Sequence, residues 1–476
     1  MSKTKKQKNR DVMKRVICLI LALAMILTIL LSTVIAMAAE SETFWPSGIS
    51  VGSQSAIVIE ASTGTVLYEK NADEVHYPAS ITKILTGLVA VENSQMDEEV
   101  TFSRDAVAQS QGGTSSIARD VDEVMTMEQC LYGMMLESAN ECAYAIAEHV
   151  GGGDINVFLQ MMNDKAKELG CTNTHFVNPN GLPSEDHYTS ARDMALIGQA
   201  ALNNETLAQI MATKTYQIPP TNKHTEITPL NNHHAMLNFY KTSKYLYDGC
   251  LGGKTGYTDA ARNTLVTFAE RDGMKLVCVV MCAEKPYHYE DTTNLFDYCF
   301  ANFKVEDVSN LENLFSNQSE DSIGVLAENI DLIETKVTGN VVLPKTVDTS
   351  EVRVSVEPTK NEKDPSIVGR VIYTYGNRQV GVGDLMFTGA GEYNYPFYNI
   401  DEEKGGSGIA YYKLNFVFII EIILAVILGI AVLFLLFKGI DRLISKAYRF
   451  RASHKRYQPK YKTIKRKKRR RGKRRR

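Results

Sequence analysis

The stretch YPASITKILTGLVAVE, Tyr77–Glu92, decides the reading of this chain, because it sets a hydroxyl and an amine on a helix built to be buried. Ile81, Ile84, Leu85, Leu88 and Val89 fall at i, i+3, i+4, i+7 and i+8, the spacing of one apolar helical stripe. Pro78 suits the helix start, which puts Ser80 in the first turn near the positive end of the dipole. Lys83 then lies one turn later on the same face. A serine hydroxyl is a poor nucleophile until a neighbouring base takes its proton, and a lysine three residues on can do so only when neutral. Bringing a lysine from its usual pKa of ~10.4 to near 7 costs roughly 4 kcal/mol, which burial or a second cation has to supply. Alone the pair is a weak sign. Ser2-Lys3-Thr4-Lys5 has the same spacing, and a helix cap followed by an exposed lysine would also account for Ser80 and Lys83.

Downstream, TMEQCLYGMMLESANECAYAIAEHVGGG (Thr126–Gly153) opens on a capping box, Thr126 with Gln129, and a triple glycine, Gly151–Gly153, ends a second helix. Between them Ser138-Ala139-Asn140 interrupts a strongly apolar run. A hydroxyl and an amide among buried apolar residues are either a satisfied turn or the wall of a site. Further on, CLGGKTGYTDAARNTLVTFAERDGMKLVCVVMC (Cys250–Cys282) reads as strands at Thr264–Glu270 and Met274–Cys282 joined at Arg271-Asp272-Gly273. Lys254-Thr255-Gly256 lies on the strand before them, where glycine allows another backbone close.

The ends of the chain differ sharply from its middle. Of 53 basic and 55 acidic residues, residues 1–15 hold seven and one, and residues 438–476 hold twenty and one, leaving 26 and 53 between. So acidic a body repels a polyanion, and nucleic acid is not its expected partner. Val16–Ala36 follows the basic leader and runs into Ala36-Met37-Ala38, the layout of a secretory signal over residues 1–38. Cleavage near Ala38 is expected, an uncleaved signal anchor being the alternative. Leu414–Phe437 is a run of 24 residues, predominantly apolar, with Glu421 its single charge, enough for a transmembrane helix. Basic flanks mark the cytoplasmic side, so residues 39–413 are expected outside and the tail, 438–476, inside, where it attracts anionic lipid at roughly 1 kcal/mol per charge.

The outer body divides in two. Residues 44–303 alternate helical and strand patterns, whereas residues 304–403 are polar, helix-poor and short-stranded. There VRVSVEP (Val352–Pro358) and GRVIYTYGNRQVGVGDLMF (Gly369–Phe387) alternate around a Gly-Asn turn, which predicts a small all-β sandwich. Glu402–Gly408 then reads as a flexible connector. The cysteines show no C-x-x-C spacing, so no metal or cofactor is expected.

Taken together, the order Ser-x-x-Lys, Ser-x-Asn, Lys-Thr-Gly resembles the signature of penicillin-binding proteins and class A β-lactamases. Ser62–Lys83 and His175–Ile197 (HFVNPNGLPSEDHYTSARDMALI) are similar to flanking segments of low-molecular-mass penicillin-binding proteins, the serine-type D-alanyl-D-alanine carboxypeptidases. The resemblance is strong over residues 45–303 and weaker to about 400. It implies an α+β catalytic domain, an antiparallel sheet flanked by helices beside a helical cluster, acting on peptidoglycan stem peptides at the bacterial cell membrane. By the same resemblance Ser80 is the nucleophile, Lys83 its base, Ser138 the proton shuttle, and Asn140 a hold on Lys83 and the substrate amide. Lys254 and Thr255 would take the substrate carboxylate. Gly256 lies beside Tyr257, whose N–H, with that of Ser80, would form the oxyanion hole. The second motif here is S-A-N, where class A β-lactamases have S-D-N, and no matching glutamate motif follows it. That favours a peptidase that β-lactams acylate and block over a β-lactamase; a non-catalytic membrane scaffold is the third reading. Two further departures are an alanine, Ala261, near a position where glycine is expected, and a C-terminal segment apolar all round where an amphipathic anchor is common in the family.

Overall fold

A computed structural model describes residues 45–239, 241–308, 335–359 and 364–387. The leader and signal segment (1–38), the expected connector, the candidate span Leu414–Phe437 and the basic tail all lie outside the described residues. Among the described residues no helix is long and apolar enough to cross a membrane.

The first sheet has five antiparallel strands: β1 Ser55–Glu60, β2 Val66–Lys70, β3 Cys250–Thr258, β4 Arg262–Arg271 and β5 Met274–Ala283. Their order is β2-β1-β5-β4-β3. Both faces are covered, which is why the strands read as nearly unbroken apolar runs. Ile57, Ile59, Val266, Phe268, Val277 and Val279 join the large core shared with the helices. Their alternate neighbours Ala56, Val58, Leu265, Leu276, Cys278 and Val280 point the other way. That second core is closed by the C-terminal helix of the domain, whose Leu295, Phe296 and Phe300 pack into it.

Among the described residues the helices of eight residues or more are α1 Lys83–Asn93, α2 Met127–Leu136, α3 Asn140–Val150, α4 Ile155–Glu168, α5 Ala191–Asn203, α6 Glu205–Ala212 and α7 Tyr287–Asn302. A short 3-10 turn, Ala79–Thr82, leads into α1, with Pro78 at its cap. Ser80 therefore sits in a turn ahead of the helix, and Lys83 begins the helix itself. Eight of the eleven α1 residues are buried, so the apolar stripe belongs to a helix enclosed almost all round. Thr126 caps α2 with the expected reciprocal bonds to Gln129, 3.2 and 3.0 Å. Ser138-Ala139 forms the break between α2 and α3, and α3 ends at Gly151.

A second sheet follows: β6 Phe303–Asp307, β7 Thr335–Pro344, β8 Arg353–Pro358, β9 Ile367–Tyr375 and β10 Arg378–Phe387, in the order β6-β7-β10-β9-β8. The turn at Gly376-Asn377 joins β9 to β10, with Gly376 at φ +60°. All pairs are antiparallel, giving one five-stranded sheet over an apolar cluster of Val341, Leu343, Val354, Val371, Tyr373 and Leu385. The second layer of the expected sandwich is not among the described residues. Trp45 packs tilted against Phe303, ring centroids 5.0 Å apart, and lies under Arg378, also at 5.0 Å, and so joins this sheet to the first.

Candidate active site

The first sheet ends in β3, an edge strand, and the turn carrying Ser80 lies against it. Gly256 makes that approach possible: a Cβ there would fall 2.4 Å from Thr264 Oγ1 and 2.9 Å from Ser80 N. Thr264, on the neighbouring strand β4, donates its hydroxyl to Pro78 O at 2.8 Å and ties the turn to the sheet. From the other side Gly181, at φ +89°, reaches so close that a Cβ would stand 1.9 Å from Ala79 O. Ala79 itself is left-handed at φ +51°, and Ser138 likewise at +61°. Such positions cost of order 1–3 kcal/mol each in a non-glycine residue, and two of the eight among the described residues fall at the motifs that carry hydroxyls.

Lys83 is fully buried and its Nζ meets three oxygens: Ser80 Oγ at 3.0 Å, Asn140 Oδ1 at 2.7 Å and the Asn180 carbonyl at 2.6 Å. The two carbonyls accept N–H bonds and have no proton to give. A neutral amine has just two N–H groups, so both are taken, and its lone pair is left for the Ser80 hydroxyl. Burial first, and the Lys254 cation second, hold Lys83 well below the ordinary lysine value. The exposed-lysine alternative is thereby excluded, and the larger cause is desolvation, with the second cation adding to it. Burial also pushes Lys254 down to about 7. Its Nζ donates to Thr255 O at 3.0 Å, and an arriving carboxylate would favour its charged form.

Ser138 is buried, and its hydroxyl has no hydrogen-bond partner among the described residues. A buried hydroxyl without a partner keeps its donor and acceptor capacity for an incoming group. Glu137 just before it is pinned by His233 Nε2 at 2.7 Å and by the N–H of Asn231 at 2.7 Å. Asn140 opens α3, and Glu141 after it accepts from Ser116 Oγ and Ile117 N at 2.7 and 2.6 Å, fastening the loop around Ser116 to the start of α3. Thr255 is half-buried, Gly256 buried, and Tyr257 projects outward, with its hydroxyl donating to Asp259 Oδ1 at 2.9 Å. The unpaired outer edge of β3 offers backbone donors and acceptors to an extended peptide.

Three segments far apart in sequence thus bring Ser80, Lys83 and Asn140 into direct contact and line Lys254–Tyr257 along the strand beside them. The sequence reading missed the Asn180 carbonyl and the Gly181 approach, because a backbone oxygen leaves no side-chain signature; the surrounding NPNGLP was the only signal. Arg262 explains the alanine where glycine was expected: the left-handed position of the β3–β4 turn falls at Arg262, φ +57°, one residue later. Among the described residues Asp120, Glu123 and His224 place ligand atoms within 4.8 Å of one another, but Arg119 already holds Glu123 at 2.9 Å. None of the three belongs to the motifs above.

A buried lysine held well below its ordinary value against a serine hydroxyl, a second buried lysine and an open strand edge are the parts that serine acyl transfer requires, on an α+β fold. Residues 39–285 match the family described as D-alanyl-D-alanine carboxypeptidase, and the chain belongs to that family. It is 35% identical over 259 residues to D-alanyl-D-alanine carboxypeptidase DacF of Bacillus subtilis, covering 53% of this chain and 63% of that one. With DacB2 of Mycobacterium tuberculosis it shares 34% over 254 residues, 52% of this chain and 82% of the relative. Penicillin binding protein 5 from Haemophilus influenzae superposes with a TM-score of 0.56 at 23% identity, over 72% of this chain and 98% of that structure, a likeness of fold.

Proposed function

We propose that this chain is a serine-type D-alanyl-D-alanine carboxypeptidase that removes the terminal D-alanine from peptidoglycan stem pentapeptides through an acyl-enzyme on Ser80. The observation that carries the reading is the bonding of Lys83 Nζ, two carbonyls behind it and Ser80 Oγ in front. Lys83 takes the Ser80 proton as Oγ attacks the carbonyl of the penultimate D-alanine. The oxyanion develops between the N–H groups of Ser80 and Tyr257, donors worth roughly 3–4 kcal/mol each in other acyl-transfer enzymes. As the C–N bond breaks, Ser138 passes a proton to the departing amine. Lys254 and Thr255 receive the carboxylate of the leaving D-alanine, and Asn140 holds Lys83 and the substrate amide. Water then attacks the ester and returns Ser80.

β-Lactams would acylate the same serine and stay, since no glutamate motif matching the one for fast deacylation in class A β-lactamases follows S-A-N. The residues outside the described part support a placement: a signal segment over 1–38, a crossing at Leu414–Phe437, the catalytic domain facing the wall of a bacterial cell and a basic tail on anionic lipid inside. D-Alanine released from a pentapeptide by the wild-type chain and by Ser80→Ala tests the reading, and equal release would sink it. A labelled penicillin decides against a β-lactamase by remaining attached, where a β-lactamase would hydrolyse it.

A further inference from the structure

Three hydrogen bonds outside the catalytic contacts run in series and end on the peptide that precedes the nucleophile. Val177 N–H donates to His187 Nδ1 at 3.1 Å, His187 Nε2 meets Thr82 Oγ1 at 3.0 Å, and Thr82 Oγ1 donates to Ala79 O at 2.9 Å. The direction of the series follows from its first member. Because Nδ1 accepts, the proton of a neutral imidazole is on Nε2, which donates to Thr82, and Thr82 passes its own hydroxyl proton on to Ala79. His187 is 1% exposed and Thr82 is fully buried, so water does not compete for these bonds. Burial above all pushes the imidazole down to about 3 and keeps it neutral.

Ala79 O and Ser80 N–H belong to one planar trans peptide and point in opposite directions. Gripping the oxygen therefore aims the N–H. That grip is needed, because Ala79 is left-handed at φ +51° and would relax toward a common conformation if released. Gly181, from the same loop as Val177, closes over the same oxygen.

We propose that His187 is a positioning residue for acyl transfer, holding the Ala79–Ser80 peptide through Thr82 so that Ser80 N–H faces the developing oxyanion; the inference rests on the acyl-enzyme reading above. His187 touches neither substrate nor Ser80. It acts on the transition state, where the oxyanion exists, and leaves ground-state binding nearly alone.

The full-length chain tests this with a fluorescent penicillin, whose covalent attachment to Ser80 gives a limiting acylation rate and an apparent binding constant. Losing an oxyanion donor outright costs on the order of 10²–10³ in rate, so His187→Ala and Thr82→Val, which only loosen one, should each slow acylation about tenfold with binding changed less than about threefold. The double variant should be no slower than His187→Ala, because both act through one series. His187→Gln can accept from Val177 and donate to Thr82, and should recover to within about threefold of wild type. A double variant slowed by the product of the singles, about a hundredfold, overturns the proposal. So does His187→Gln as slow as His187→Ala while melting at the wild-type temperature. Should His187→Ala fail to fold, a slow Thr82→Val beside a fast His187→Gln supports the proposal in its place, and the reverse pair overturns it. A wild-type chain that takes no label overturns the acyl-enzyme reading and this proposal with it. Labelling at equal rates in every variant overturns the proposal alone.

Discussion

The two sheets bury very different side chains. Within the described residues every buried polar or charged side chain, from Ser53 to Thr292, lies in the first domain, among them Lys83, Lys254, Asn140, Glu141 and His187. The cluster under the second sheet is apolar throughout, with the Tyr373 hydroxyl its one unpaired polar atom. Burying an unpaired ammonium costs several kcal/mol, and both lysines meet that cost by shifting toward neutrality. The second sheet carries no such cost. One domain gives up stability to hold a reactive arrangement; the other is built for packing alone.

The contrast breaks most visibly at Gly181. Substitution by alanine would put a methyl 1.9 Å from Ala79 O and 3.0 Å from Ser80 N, on a residue whose φ of +89° already disfavours a side chain. Backbone has to move, and a misplacement of about 1 Å at a reacting group costs on the order of a hundredfold. Gly181→Ala is expected to lose at least that factor in penicillin acylation while keeping its circular dichroism. Acylation within about threefold of wild type would show that the loop yields without disturbing the serine.

How far such positions could be read in advance depends on what they are made of. Side-chain periodicity was legible: the α1 stripe, the β4 and β5 strands, the Thr126–Gln129 box and the hairpin at Gly376-Asn377 all follow from local spacing. The eight candidate residues could be named because their three motifs occur in a known order, since spacing alone carries no information on contacts between residues 57 positions apart, as between Lys83 and Asn140. Backbone groups were not legible. The Asn180 carbonyl, the left-handed Ala79 and the close approach of Gly181 become visible only when segments meet. The series from His187 to Ala79 was hidden for the same reason: a histidine and a threonine 105 residues apart have no shared pattern.

A smaller effect comes from pH. In the free protein Lys254 loses its charge as pH rises through about 7, because burial disfavours the ammonium. A substrate carboxylate restores that charge on binding, so binding draws a proton, and KM should rise about tenfold per pH unit above 7. Lys83 runs the opposite way, being active when neutral, so kcat should not fall over the same range. A peptide amidated at its C-terminus lacks the carboxylate and should show no such rise in KM. Equal pH profiles for acid and amide would remove Lys254 from carboxylate recognition.

The least effect on activity is expected from the second sheet. Val371 is fully buried on β9, paired across to Val356 and Gly383. Val371→Ala removes two methyl groups from a core that contains no reactive group, at a cost of about 2 kcal/mol. Melting should shift down by several degrees, and acylation at 25 °C should stay within about twofold, since distant sites without shared partners act independently. The seam is where independence could fail. Trp45 and Phe303 touch both sheets, and Asn340 Nδ2 donates to Ser62 Oγ at 3.0 Å across it. Acylation that fell with stability would mean that strain in the second sheet passes through this seam into the first, and the division between a reactive domain and an inert one would not hold.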